Sequence, residues 1–271
     1  MVVDQKAVLA LLKKQAKGTY IGLDELQKTA ETFDCSLRDI ETIALSYSIL
    51  PARFQRNGLS CSEQLKLFQT KVAIIGCGGL GGRTAELLAR LGIGHLILTD
   101  PDVFSESNLN RQIFCTTETL GCNKVDIVSR ELQKINPVLE TSLHVSRFNT
   151  LSITTAEIVI DALDSTTARK ELSALCRKHS IPMIHGAVRE WYGQVTIEQS
   201  ANSLIDTLYH QTTENSLPPH VLPMTVSLIA SLQVAEACKL ILGTGSPILD
   251  GWLQCDLLHS EYEHIKTGAC R

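Results

Sequence analysis

The stretch that decides the fold is residues 71–112, KVAIIGCGGLGGRTAELLARLGIGHLILTDPDVFSESNLNRQ. Val72 to Ile75 form a short apolar run rich in β-branched residues, the composition of a strand covered on both faces by helices. Gly76, Gly78 and Gly81 follow at G-x-G-x-x-G spacing, with Gly79 among them. In this pattern the first glycine permits a tight turn, the second lets the backbone approach a phosphate, and the third lets the next helix pack closely on the strand. The spacing predicts a helix over 80–91, whose N-terminal N–H groups make an anion site above the turn. A second strand is predicted over His95–Thr99, ending in Asp100, where a carboxylate is placed to accept hydrogen bonds from a ribose. A glycine turn can serve packing alone, but strand, helix and terminal acid in this order favour nucleotide binding.

With 271 residues, 44% of them hydrophobic, the chain can bury a full α/β core. The net charge of -4 gives no general reason to expect nucleic acid or an anionic membrane as partner. The N-terminus, MVVDQKAVLALLKKQAKG, reads as an amphipathic helix and not a signal peptide, and no apolar run is expected to reach the roughly twenty residues that span a bilayer. A cytoplasmic protein is expected. Cys35, Cys61, Cys77, Cys115, Cys122, Cys176, Cys238, Cys255 and Cys270 are odd in number and scattered, which favours reduced thiols over a disulfide framework. There is no C-x-x-C pair to found a structural zinc site.

Residues 1–50 read as a small helical unit and 51–271 as the nucleotide-binding domain. The first helix is predicted over Asp4–Ala16 and is stopped by Gly18; the second carries Leu23, Leu26, Ala30 and Phe33; Ser36 and Asp39 open the third. The unit is expected to support packing or dimerisation. Pro51–Thr70 reads as a link that contains Arg53 and Arg56.

Beyond Asp100, Asn108 and Asn110 supply amides, and Arg111 supplies a guanidinium fork suited to phosphate oxygens. A helix is predicted over 121–136 with Lys124 in its first turn, where a lysine opposes the helix dipole unless an anion lies beside it. A phosphate between Lys124, Arg111 and the glycine turn would supply that anion. Residues 156–162 read as another buried strand, with Asp164 at its carboxyl end and Ser165–Thr167 opening a helix to about Lys178. Asp164 either caps that helix or holds Mg2+ over phosphates. A strand over 181–186 follows, then an exposed or edge strand over 193–198. Periodicity disappears in about 199–223, a crossover loop or lid. A helix over Thr225–Leu242, ended by Gly243, and strands over 252–258 and 261–265 complete the chain. The pattern predicts an α/β protein: a Rossmann-like, doubly wound, mostly parallel sheet with antiparallel C-terminal strands, plus the N-terminal helical unit.

The segments GCGGLGG, TDPDVFSESNLNRQ, LGCNK, DALDSTTAR and SLQVAEACKLILG, in this order, resemble the ThiF/MoeB/HesA family, bacterial relatives of the ubiquitin-activating enzymes. The resemblance covers about Arg53 to Ile265. It implies ATP- and Mg2+-dependent adenylation of the C-terminal carboxylate of a ubiquitin-like sulfur-carrier protein ending in Gly-Gly, with release of pyrophosphate. Gly76, Gly78, Gly79 and Gly81 would then cradle the nucleotide, Asp100 would bind ribose, and Asn108, Arg111 and Lys124 would complete the ATP site. Asp164 would hold the metal or the reacting phosphate. RFQRN is similar to the family's R-Y-x-R-Q segment, whose second arginine, here Arg56, reaches into the other subunit's site, so a homodimer is implied. The chain departs from many relatives in lacking zinc-binding cysteine pairs. It also has no thiol in Glu214–Leu228, which argues against covalent thiol transfer there.

Three other readings stand beside this one. A NAD-dependent oxidoreductase shares the glycine turn and Asp100 but leaves Arg111, Lys124, Asp164 and RFQRN without work. Adenylation of a small carboxylate, a peptide or a tRNA base keeps the ATP chemistry, and a non-catalytic nucleotide-binding protein keeps only the pocket.

Overall fold

The computed structural model of the protein describes residues 4–199, 203–210 and 220–267. The chain divides into two compact units between Gln69 and Thr70.

The first unit contains α1 (Gln5–Gln15), β1 (Tyr20–Ile21), α2 (Leu23–Thr32), α3 (Leu37–Ser46), β2 (Leu50–Pro51) and α4 (Cys61–Gln69). Asp4 caps α1 by accepting from the N–H groups of Lys6 and Ala7, and Ser36 caps α3 by accepting from that of Asp39. The helices close on Val8, Leu12, Leu26, Ile40 and Ala44. The expected link over 51–70 is instead largely structured, because Ser60 and Glu63 form a capping box that starts α4: Ser60 N–H donates to Glu63 Oε2 at 2.8 Å, and Glu63 N–H to Ser60 Oγ at 3.2 Å.

In the second unit the chain runs β3 (Lys71–Ile75), α5 (Gly79–Leu91), β4 (His95–Thr99), α6 (Lys124–Ile135), β5 (Glu140–His144), β6 (Ile158–Asp161) and α7 (Thr166–Lys178). It continues through β7 (Met183–Arg189), β8 (Tyr192–Glu198), α8 (Leu204–Leu208), α9 (Pro223–Leu242), β9 (Gly251–Asp256) and β10 (Glu261–Lys266). The sheet order is β10-β9-β8-β7-β6-β3-β4-β5. The strands from β5 to β7 pair in parallel, and β8, β9 and β10 extend the sheet antiparallel, as expected. The chain runs outward from β3 through β4 to β5 and then crosses back from β5 to β6 on the other side of β3, so the crevice over the carboxyl ends of β3 and β6 is the topological switch point. Ile75 pairs with Thr99 and with Asp161, which aligns the three strand ends beneath that crevice.

Ala73, Ile75 and Val159 face Leu172 and Cys176 of α7 in one core layer, and α5 and α9 lie on the opposite side, α9 against α5, β7 and β8. β8 is not an edge or exposed strand; it lies between β7 and β9, and the polar residues Thr196 and Glu198 of its alternation are themselves buried, Thr196 donating to the Gly251 carbonyl and Glu198 pairing with Arg177. The edges are β10 and β5. β5, with the sequence ETSLH, carries no apolar run and takes its extended form from pairing with β4.

α9 also corrects the expectation about apolar runs. It is twenty residues long, an 18-residue window within it reaches a mean hydropathy of 1.5, and it passes for a bilayer span by length and composition. In the fold its Val226, Ile229, Ala230, Val234 and Ala237 are buried, as in a helix that is apolar because it is central. It starts at Pro223, two residues before the expected start, since proline costs nothing at the first helical position. Of the expected crossover loop, residues 200–202 and 211–219 lie outside the described residues, as do Cys270, Pro218 and Pro219; the rest contains α8.

Candidate active site

The crevice at the switch point opens into a cavity of about 400 Å³, within the range of small-molecule sites. Its floor is the glycine turn after β3. Gly76 has φ +93°, and a Cβ there would sit 2.7 Å from the carbonyl oxygen of Ala162, so the turn presses against the exit of β6. At Gly81 a Cβ would fall 1.7 Å from the Gly76 carbonyl oxygen, which is why α5 can begin so close to its strand. Gly76, Gly78 and Gly79 line the cavity; Gly81 does not. Its role is the close packing expected of the third glycine, not contact with a ligand.

One wall is anionic and cationic at once. Asp100 is 5% exposed, and its two oxygens accept the N–H groups of Cys77 at 2.7 Å and Asp102 at 2.8 Å. Burial pushes its carboxyl above the usual carboxylate range, against the pull of Lys124. Asp100 therefore braces the turn as well as lining the cavity. Lys124, the first residue of α6, is 7% exposed; its Nζ lies 3.0 Å from Asp102 Oδ2 and 3.9 Å from Asp100 Oδ1. The anion that offsets a lysine at this helix start is thus supplied by the chain itself. Asp102, which the sequence reading passed over, is the partner, and the Lys124 N–H donates to its carbonyl.

The loop after β4 carries Arg111 to the same cavity, its Nη1 donating to the Ser107 carbonyl and to Asn110 Oδ1, each at 2.8 Å. Asn108 is different. It is buried and accepts the Ser105 N–H in a capping box, and it does not line the cavity. The amide is spent on shaping the loop that carries Arg111. Gln112 lines the cavity in its place, lying against Gly78, and its buried Oε1 has no hydrogen-bond partner among the described residues. Thr99 Oγ1 is in the same condition. Two unpartnered polar atoms in one cavity mark it as built for a polar ligand.

Across from these, β6 delivers Asp164. The cap of α7 is Ser165, which accepts from the Ala168 N–H; Asp164 is exposed at the cavity, with no hydrogen bond among the described residues. Of the two roles open for Asp164, capping is taken by its neighbour. An uncommitted carboxylate beside cationic and amide groups fits a Mg2+ ion carried by phosphates, which needs only one or two protein carboxylates. No group of three or more metal-ligating side chains exists among the described residues. Behind Asp164 stands Arg169, 8% exposed and lining the cavity; the sequence reading missed it, though it sits one helical turn into α7.

Arg56 lies in the first unit, exposed and without a hydrogen bond or ion pair among the described residues. Its neighbour Arg53 is committed: Nη2 pairs with buried Glu41 at 2.6 Å. The cavity lining comes from residues of the second unit alone. Cys115 packs with Phe104 and Ile127, and burial raises its thiol, while that of Cys238 is pushed up to about 11. Neither is an activated nucleophile.

The family model described as the ThiF family matches residues 49–271. The chain belongs to the ThiF family. Among its relatives, the SAMP-activating enzyme E1 of Haloferax volcanii is 32% identical over 214 residues, covering 74% of this chain and 78% of the relative. The molybdopterin-synthase adenylyltransferase of Salmonella typhimurium is 28% identical, covering 85% and 94%, and the sulfur carrier protein ThiS adenylyltransferase of Escherichia coli 31%, covering 70% and 79%. Among solved structures, E. coli MccB with ATP superposes with a TM-score of 0.67 at 21% identity, covering 90% of this chain and 82% of that one. This likeness confirms the fold.

Proposed function

We propose that this ThiF-family member is an ATP-dependent adenylyltransferase that activates the C-terminal carboxylate of a ubiquitin-like sulfur-carrier protein. The observation that carries the reading is the convergence of the glycine turn, Asp100, Arg111, Lys124 and Asp164 on one cavity, from segments far apart in sequence. The adenylyltransferase and carrier-activating names of the relatives support it. A dinucleotide dehydrogenase would need the turn and Asp100 only.

The carrier's carboxylate is ionised at neutral pH and needs no general base. One of its oxygens bonds to the α-phosphorus of ATP, the bond from that phosphorus to the bridging oxygen breaks, and pyrophosphate leaves with the electron pair. The obstacle is repulsion between anions, which Arg111, Lys124 and the N–H groups of the glycine turn offset by fixed positive charge. Bound Mg2+ would neutralise phosphate oxygens, and Asp164 is the residue that would hold it. Lys124 reaches this task already oriented by Asp102. Because Arg56 is uncommitted in its own unit, a homodimer in which a second copy supplies it completes the charge. All eight described cysteines are free thiols, which supports a cytoplasmic location.

Pyrophosphate exchange into ATP, measured with a panel of Gly-Gly-tailed carriers, tests the reading. Carrier-dependent exchange is expected; tight NAD binding without ATP binding would overturn it.

A further inference from the structure

A buried polar cluster lies directly beneath the Asp164 loop, and the adenylation chemistry makes no use of it. Asp161, the last residue of β6, and His185, its register partner within β7, are both fully buried, and His185 Nδ1 lies 2.7 Å from Asp161 Oδ2. Tyr209, at the C-terminus of α8, places its hydroxyl 3.2 Å from His185 Nε2, 2.8 Å from Arg169 Nη1 and 3.1 Å from Gln194 Nε2.

Arg169 and Gln194 Nε2 both donate to the Tyr209 oxygen, and Gln194 Nε2 also lies 3.3 Å from His185 Nε2; with two donors on its oxygen, the hydroxyl proton is directed to His185 Nε2. His185 is then neutral, with its proton on Nδ1 and directed at Asp161. Burial holding the His185 imidazole below its usual range agrees with this state.

The same groups grip the residue that precedes Asp164. Asp161 Oδ1 accepts the Leu163 N–H at 3.0 Å, and Arg169 Nη2 donates to the Leu163 carbonyl at 2.5 Å. Both polar groups of Leu163 are therefore held by side chains whose own placement depends on His185 and Tyr209. At the other end, Lys170 Nζ donates to the Tyr209 carbonyl at 3.0 Å, so α7 holds Tyr209 through two adjacent residues. Tyr209 belongs to the segment that crosses from β8 to α9.

We infer that Tyr209 is a positioning residue that couples the seating of residues 203–210 to the placement of Asp164, acting through Arg169, His185 and Asp161. The consequence for Asp164 rests on the proposed ATP and Mg2+ site; the mechanical coupling does not. When residues 203–210 are seated, Leu163 is gripped and Asp164 is fixed at the cavity. When Tyr209 withdraws, Arg169 loses one anchor and His185 its proton donor, and the Asp164 loop loosens.

Tyr209→Phe in the full chain keeps the ring and its edge contact with His185 while removing the hydroxyl. Residue-resolved hydrogen exchange without nucleotide should show faster exchange at residues 203–210 and, in the same variant, at the Leu163 N–H. ATP titrated with Mg2+ should bind about threefold to tenfold more weakly, the factor one hydrogen bond carries, and metal-free ATP nearly as before. His185→Asn retains a donor for Asp161 and drops the acceptor for Tyr209. It should reproduce the effect, and the double variant should lose no more than either single one. Unchanged exchange at Leu163 would overturn the coupling, and equal weakening with and without Mg2+ would overturn its consequence for Asp164. If the wild-type protein binds no ATP at all, the reading of the site fails, and exchange at Leu163 then decides the coupling by itself.

Discussion

Replacing Lys124 by methionine isolates one charge with little change in side-chain length. Lys124 Nζ lies 3.9 Å from the Asp100 carboxylate, and the two side chains are 8% and 6% exposed. At an effective dielectric of about 20 that separation corresponds to about 4 kcal/mol of attraction. The closer contact with Asp102 adds no more than about 1 kcal/mol, because that carboxylate is 65% exposed. Asp100 retains the N–H groups of Cys77 and Asp102, and it can relieve the remaining cost by taking up a proton. A net loss of about 2–4 kcal/mol at pH 8 follows, which lowers the melting temperature by roughly 5–15 °C in a domain of this size. The sign of the pH dependence is fixed. Burial already raises the Asp100 pKa, and removing the cation raises it further, so the folded variant binds more protons than the unfolded chain. Its stability therefore falls as pH rises from the unfolded carboxylate value through the folded one. Melting curves of Lys124→Met and wild type at pH 5 and pH 8 should show the larger gap at pH 8. Equal melting temperatures at pH 8, or a gap that widens toward pH 5, would refute the reasoning.

Gly81→Ala places a methyl against the Gly76 carbonyl oxygen. Separating α5 from β3 costs about 1–3 kcal/mol or more, read as a fall in melting temperature; an unchanged value would show that the close approach is not rigid. Asp164→Asn should leave melting unaltered, since the side chain is exposed, while abolishing the gain in ATP affinity that Mg2+ confers. Persistence of that gain would remove Asp164 from metal binding. Arg56→Ala should leave the fold intact and depress pyrophosphate exchange about a thousandfold, as for other charge-completing arginines, so near-normal exchange would take the residue out of the site. Burial holds the His185 imidazole below its usual range, against the pull of Asp161. The unfolded chain alone gains its proton as pH drops below about 6.5, and wild-type stability should fall there by up to about 1.4 kcal/mol per pH unit. His185→Asn should lack this component; an identical acid slope in both proteins would contradict the neutral assignment.

The sheet and its switch point were legible because they follow from local patterns. The apolar runs of β3, β4 and β6 and the glycines between β3 and α5 determine their conformations within a few residues, whatever the rest of the chain does. So does the position of Asp164, since a strand that ends at Asp161 must deliver it to the crevice. β5 was not legible, because ETSLH becomes a strand only through pairing with β4.

What each site residue does lay beyond the sequence for a related reason. Asn108 and Arg111 look alike as polar loop residues, yet one closes a capping box and the other lines the cavity. Lys124 looks like a cation awaiting phosphate, and it is oriented by a carboxylate twenty-two residues earlier. Arg169 and His185 meet the Tyr209 hydroxyl across separations of forty and twenty-four residues. The sequence alone determined which segments are strands and helices and which end of the sheet binds a ligand, because backbone periodicity is a local property. Only the tertiary structure decided which polar groups are already partnered and which remain for ATP, because a hydrogen bond is made by proximity in space and not by order along the chain.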